Sequence, residues 1–380
     1  TPTRIVLFRR PLEHRADAPG DDLLVGGAKP TALLGRRHRD VVSGPIDAIL
    51  SAPDIAWAGR LTQNPVRRLG DLDRWSAETD TTAVHETTGA RIAVLDDEHV
   101  QLTVPLVAGR SVQIRIGMPA SVVSGGAPVV SVADAEVSMK ALLAVAAGQD
   151  LPTVKNGVAR INLAWMPEMV ADHAGVTGAG LPATLGVSGK AVPDVVVGAC
   201  WPAVFAALGD ARTEDISVIE GMLDLVHLDH AVELVGELPT DASILVVKAQ
   251  VDSVRDTDLG RVVEVKVHVG AMLGEGLDAP AVATLSERFA IRGRTGKSEL
   301  TDPPRAGGSL GTGVVDTPRR RRRDTTITAP KDMAPFAQVS GDHNPIHISE
   351  NAALLAGLGD PIVHGMWLSA AAQQAVTAVV

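Results

Sequence analysis

The 380 residues are enough for two or three domains with buried cores. The chain is 45% hydrophobic and 21% charged, and no apolar run approaches the ~18 residues of a membrane-crossing helix, so no membrane span is expected. A net charge of −10 argues against a nucleic-acid partner, and the single Cys200 excludes an internal disulfide and any cysteine-rich zinc centre, which fits a cytoplasmic setting.

Residues 1–90 carry scattered Pro, Gly and Arg with short helical patterns and read as a scaffold or connecting region. A chain that starts at Thr1 and is still apolar at Val380 is expected to be a piece of something longer, and no secretory signal opens it. Residues 91–150 read as an accessory region, with strand-like runs at 91–95, 100–104 and 112–116 and an Ala-rich helix at 135–147 closed by Gly148.

From 151 to 292 the pattern is a helix followed by antiparallel sheet. An apolar stretch at 201–208 precedes strand candidates at 223–226, 231–235, 244–254, 262–269 and 284–291. The alternation of Val263, Val265, Val267 and Val269 with Glu264, Lys266 and His268 marks a strand buried on one face. His227 and His230 in this strand-rich stretch read as structural or surface histidines. Residues 293–324 read as a linker that includes the five-Arg run 319–323, and 325–380 form the last region.

Two copies of one unit are visible. Gly341 lies 166 residues after Gly175, and Trp367 lies 166 residues after Trp201. The copies differ where chemistry would sit: Asp342, Asn344, His347 and His364 fall opposite Val176, Gly178, Leu181 and Gly198. The first copy keeps the frame without these polar groups.

In the second copy, Gly341 and Pro345 break regular structure and aim Asp342, Asn344 and His347 from a tight loop. A carboxylate and an imidazole move protons both ways near neutral pH, and Asn344 can hold a hydroxyl or water. Pro345 between His343 and His347 interrupts any helix that would make them a metal pair, and no metal is expected. Gly365 opens the apolar run from Met366 onward. At a helix start its backbone N–H suits developing negative charge, and its missing side chain lets a thioester carbonyl approach. Trp201 and Trp367 read as core anchors of the two copies.

The sequence Ser340-Gly341-Asp342-His343-Asn344-Pro345-Ile346-His347, followed by Val363-His364-Gly365-Met366, resembles the motif of MaoC-like and (R)-specific enoyl thioester hydratases. The wider text from about 150 to 380 is similar to the dehydratase region of actinobacterial type I fatty acid synthases. The resemblance implies an α+β chain of tandem hot-dog units, each a long helix wrapped by antiparallel sheet, behind an N-terminal scaffold. The unit at 151–292 would be noncatalytic and would offer an apolar tunnel for a long acyl chain. The unit at 325–380 would be catalytic and incomplete at its C-terminus, and so poorly soluble or inactive by itself.

The implied reaction is loss of water from a 3-hydroxyacyl thioester on an acyl carrier protein domain, giving the trans-2-enoyl thioester without a cofactor. Asp342 and His347 match the family's acid and base, Asn344 the polar residue beside them, and Gly365 the donor to the thioester carbonyl. His347 is favoured at C2 and Asp342 at the hydroxyl, although sequence does not fix the order. Pro345, His364, Met366 and Trp367 are expected to contact substrate. The implied partners are the other synthase domains, enoyl reductase and malonyl/palmitoyl transferase, in a homo-oligomer. A thioester hydrolase on the same fold and a noncatalytic assembly module are the alternatives, separated by whether the product is free acid, an enoyl thioester or nothing.

Overall fold

The computed structural model describes residues 44–51, 58–59, 64–118, 128–219, 225–258, 260–272, 279–291 and 324–378. The linker with its five-Arg run lies almost wholly outside them. The described residues divide into two compact units, one holding 44–105 and 113–131, the other 106–112 and 132–378.

The first unit carries helices α1 (Gly44–Ser51) and α2 (Pro65–Arg68) and a seven-stranded sheet. Its strands are β1 (Ala58–Gly59), β2 (Trp75–Thr79), β3 (Thr82–His85), β4 (Arg91–Val94), β5 (His99–Pro105), β6 (Ser111–Gly117) and β7 (Val129–Val130), in the order β1-β7-β6-β5-β4-β3-β2. Period-two burial explains β5 and β6: Val100, Leu102, Val104, Ile114 and Ile116 are fully enclosed while their neighbours face outward. Asn64 joins the helices, its side-chain oxygen capping α2 at Val66 N and its amide donating to Ile49 O at 2.9 Å. The change of region expected at residue 90 falls inside this sheet, because Val84 pairs with Arg91.

The second unit begins with α3 (Val132–Ala146), whose last carbonyls are capped by the Arg110 guanidinium at Ala144 O (3.3 Å) and Gly148 O (3.2 Å). There follow β8 (Val154–Lys155), β9 (Val158–Trp165), α4 (Glu168–Gly178), 3-10 turns at Pro193–Val196 and Gly198–Cys200, α5 (Trp201–Asp210), and a small hairpin of β10 (Arg212–Thr213) and β11 (Ile216–Ser217). Long strands β12 (Leu225–Leu234), β13 (Ser243–Thr257), β14 (Gly260–Met272) and β15 (Ala281–Ile291) complete an antiparallel sheet ordered β12-β15-β14-β13-β9-β8.

Helix α5 is buried from Trp201 to Gly209 and lies against β9, β13 and β14, which is the expected hot-dog arrangement. The α+β class and the alternating strand hold: Val263, Val265, Val267 and Val269 are at most 1% exposed. Two strand candidates, 223–226 and 231–235, prove to be one strand, β12, interrupted by a bulge between His227 and Asp229. Strand β9 was not expected; its mixed Val, Arg, Asn and Leu pattern reflects a strand with one outward face.

The second copy supplies α6 (Ala334–Ser340), a 3-10 turn at Pro345–His347, α7 (Glu350–Leu355) and α8 (Gly365–Thr377). Shifted by the 166-residue repeat, α6 falls on α4 and α8 on α5, so the duplication is one of structure. Among described residues 324–378 no strand is present. Helix α8 leans on the first copy: it packs on α4 and on Pro193–Val196, and Trp367 Nε1 donates to Val176 O at 3.4 Å.

The backbones of the two copies meet closely at two glycines. A Cβ on Gly198 would stand 2.2 Å from Ser340 O, and one on Gly341, whose φ is +64°, would stand 2.8 Å from Gly198 O. Gly175, the repeat partner of Gly341, is an ordinary helical residue with nothing within 4 Å of a Cβ. Urea melts should therefore show Gly198→Ala destabilised by about 1–3 kcal/mol. Gly175→Ala should be neutral or stabilised by up to ~1 kcal/mol. Equal behaviour of the two variants would count against the seam.

Candidate functional site

Helix α6 ends because Gly341 takes the left-handed conformation, which turns the chain and drops Asp342 into the interior at 5% exposure. The following loop is built from side chains folding onto their own backbone. Asp342 Oδ1 accepts from Asn344 N at 3.0 Å, and Asn344 Oδ1 accepts from Ile346 N at 3.3 Å, capping the turn that Pro345 begins. Asn344 thus uses its oxygen structurally.

His347 Nδ1 lies 2.8 Å from Ile362 O. A carbonyl only accepts, so Nδ1 carries the proton and Nε2 is the basic nitrogen of the neutral ring. His364 N-caps α8: its Nδ1 accepts from Met366 N at 3.3 Å, which puts the proton on Nε2. That Nε2 stands 3.1 Å from Asp342 Oδ2, at ion-pair distance but off the hydrogen-bond axis. Such loose alignment is common in sites without substrate. The His347 and His364 rings stack with centroids 4.0 Å apart, and Phe336 of α6 meets His364 edge-on at 5.0 Å.

Three titratable groups therefore converge: Asp342, His364 and His347. Burial pushes the Asp342 carboxyl up, but electrostatic attraction to His364 and His347 and the hydrogen bond from Asn344 N–H outweigh it and hold it below the usual carboxylate range. A carboxyl held below its usual range and an imidazole whose orientation is fixed by Ile362 O make an acid–base pair. Beside them Gly365 is exposed in the first turn of α8, with no atom within 4 Å of where a Cβ would be. An acyl carbonyl has room to reach that helix start.

The sequence residues fall into two groups. Asp342, Asn344, His347, His364 and Gly365 are brought together, with Pro345 buried beneath them. Met366 and Trp367, grouped with the substrate contacts, have buried side chains, and Trp367 serves the packing between copies instead. Sequence reasoning placed His364 only against substrate and missed it as the partner of Asp342. Its position in the N-cap slot before an apolar helix was the available signal. His343 points elsewhere: its ring lies over Gly148, and its N–H donates to Ala146 O at 2.8 Å.

The first copy has not lost all polar groups, contrary to the expected apolar interior. Asp194 is 4% exposed and takes Gln373 Nε2 of α8 at 2.6 Å, returns its own N–H to Gln373 Oε1 at 3.2 Å, and lies 3.2 Å from His230 Nε2. Burial lowers the His230 pKa, but the carboxylates of Asp194, Glu287 and Asp229 raise it further, to about 9.

Because the folded-state pKa of Asp342 is depressed, its ionised form stabilises the fold above the ordinary carboxylate range, and this is lost as pH falls through the folded value. The melting-temperature gap between the parent protein and Asp342→Asn should stay constant from pH 7 to about 5 and shift in favour of the variant only as pH falls further, through the ordinary carboxylate range and below. A gap independent of pH would contradict the depressed carboxyl.

Comparison with known proteins places both ends of the chain. Residues 48–149 match the family described as fatty acid synthase, SBS domain, and residues 312–380 match the MaoC like domain. The fatty acid synthase beta subunit StcK of Emericella nidulans is 51% identical over 45 residues, 12% of this chain and 2% of that protein. Peroxisomal multifunctional enzyme type 2 of Drosophila melanogaster is 29% identical over 149 residues, 38% of this chain and 22% of that protein. The fatty acid synthase subunit beta of Gibberella zeae is 40% identical over 74 residues, 18% of this chain and 4% of that protein. The chain thus spans less than a quarter of each of these relatives. Among solved structures, a MaoC-like dehydratase from Phytophthora capsici superposes with a TM-score of 0.39 at 20% identity, over 58% of this chain and 74% of that one. The chain is thus similar to a fatty acid synthase SBS domain over 48–149 and to a MaoC like domain over 312–380, each match covering less than half of it.

Proposed function

We propose that the chain is the dehydratase region of a type I fatty acid synthase, a hydro-lyase that removes water from a 3-hydroxyacyl thioester to give the trans-2-enoyl thioester. The observation that carries this reading is the convergence of Asp342, His347 and His364 beside the open first turn of α8. His347, with Nε2 as its basic nitrogen, takes the proton from C2. The enolate oxygen that develops is stabilised at the Gly365 amide and the positive end of α8. Asp342, ionised and 3.1 Å from His364 Nε2, accepts the hydrogen bond of the 3-hydroxyl; the proton taken from C2 is delivered to that oxygen as the C3–O bond breaks, so that it leaves as water, held by the Asn344 amide. The pair shares protons, so the two side chains act as one unit.

The match to an SBS domain and to fatty acid synthase beta subunits supports an acyl carrier protein domain as the thioester carrier. It also supports the remaining synthase domains as covalent neighbours in a cytoplasmic homo-oligomer. No helix among the described residues is long and apolar enough to cross a membrane.

The test is hydration of a trans-2-enoyl thioester, followed by loss of its absorbance, with this chain and with any longer polypeptide that carries it. Asp342→Asn and His347→Ala should each lower the rate by roughly 10²-fold or more. Unchanged rates in both would refute the assignment, and release of free acid would indicate a hydrolase. Gly365→Ala should leave the melting temperature unchanged, because the position is open, yet lower kcat/KM by about tenfold or more through obstruction of the carbonyl. Full activity in that variant would remove Gly365 from the substrate site.

A further inference from the structure

The bulge in β12 has a chemical result. On a regular strand, residues three apart face opposite sides of the sheet. Here His227 pairs with Phe289, Asp229 with Arg288 and His230 with Glu287, so Leu228 is the extra residue and both histidines share one face with Glu287. Their ligand atoms all lie within 4.8 Å of one another, and the two imidazoles are nearly parallel, at 19° with centroids 6.0 Å apart.

The surroundings favour a cation. Glu287 is 0% exposed; its Oε2 is 2.9 Å from His227 Nε2, and its Oε1 has no hydrogen-bond partner among the described residues. Asp194 Oδ1 lies 3.2 Å from His230 Nε2, leaving Nδ1 of that ring for a ligand bond, and Asp194 Oδ2 is likewise without a partner among the described residues. The neighbouring Asp229 is matched by Arg288 at 2.6 Å on the other face and is not one of the ligands. The buried carboxylates of Glu287 and Asp194 hold a proton on His230, and a divalent ion that displaces this proton would balance the two negative charges in its place. A carboxylate behind a ligating histidine is the usual outer support of such an ion.

We propose that His227, His230 and Glu287 form a divalent transition-metal site in the first hot-dog unit, with Asp194 orienting His230. Two imidazoles and one carboxylate are a borderline donor set suited to zinc, with a further coordination position left for water. The His227 side chain, 24% exposed, marks the way in. The site belongs to the first copy, and its residues take no part in the steps of the reaction proposed above.

The experiment is calorimetric titration of zinc into the chelator-treated protein. One zinc per chain is expected, with a raised melting temperature. His227→Asn and Glu287→Gln should each weaken binding by roughly 10²-fold or more, and Asp194→Asn by about 10–100-fold. Absence of stoichiometric zinc binding, or binding undiminished in His227→Asn, would overturn the proposal. His227 is the most exposed of the three, so its variant decides the matter even if Glu287→Gln fails to fold.

Discussion

The hydrogen-bond pair between Asp194 and Gln373 is the contact on which the second copy depends. One side chain comes from the turn before α5 and the other from α8, and both are enclosed. A buried carboxylate is costly unless its partners are fixed, so Asp194 specifies the position of whatever completes it. Here that is the helix whose first turn carries Gly365 and whose N-cap is His364. Among the described residues α8 meets no sheet of its own and takes its position from α4, from 193–196 and from this pair. The sheet of the first copy therefore reaches the reactive loop through His230, Asp194 and Gln373.

The two copies show how one frame holds two chemistries. The helix before the loop and the helix after it recur at the same offset, and so does the tryptophan that anchors the second. The divergence is concentrated in the connecting loop. Where one copy continues α4 through Gly175, the other stops at Gly341 and folds Asp342 and Asn344 back onto their own N–H groups. Where one has Gly198, allowing the backbones to touch, the other has His364, which caps a helix and faces a carboxylate. The same slot thus serves backbone contact in one copy and a buried carboxylate–imidazole pair in the other.

Much of this was legible in the sequence because its causes are local. Gly341 and Pro345 dictate the loop within a few residues, the valines of β14 report a buried face by their spacing, and the repeat needs only counting. What escaped depends on distant partners. The pairing of His364 with Asp342 spans 22 residues and rests on the N-cap geometry of α8. The bulge at Leu228 is fixed by β15, some 60 residues on, and without it the two histidines read as unrelated. The region boundary expected at residue 90 fails for a similar reason. A change in local composition says nothing about hydrogen bonding, and the hairpin of β3 and β4 crosses it.

The approach of Gly198 to Ser340 and Gly341 bears on how such a chain can change. Two backbones in contact leave no slack for a side chain on either, so the halves of the duplication are no longer interchangeable parts. The reactive loop could not be transplanted, or the tandem shuffled by recombination between the copies, without importing its opposite surface as well. A side chain at position 198 or 341 would have to displace the backbone of the other copy, so a change in either half is limited by the surface of its neighbour.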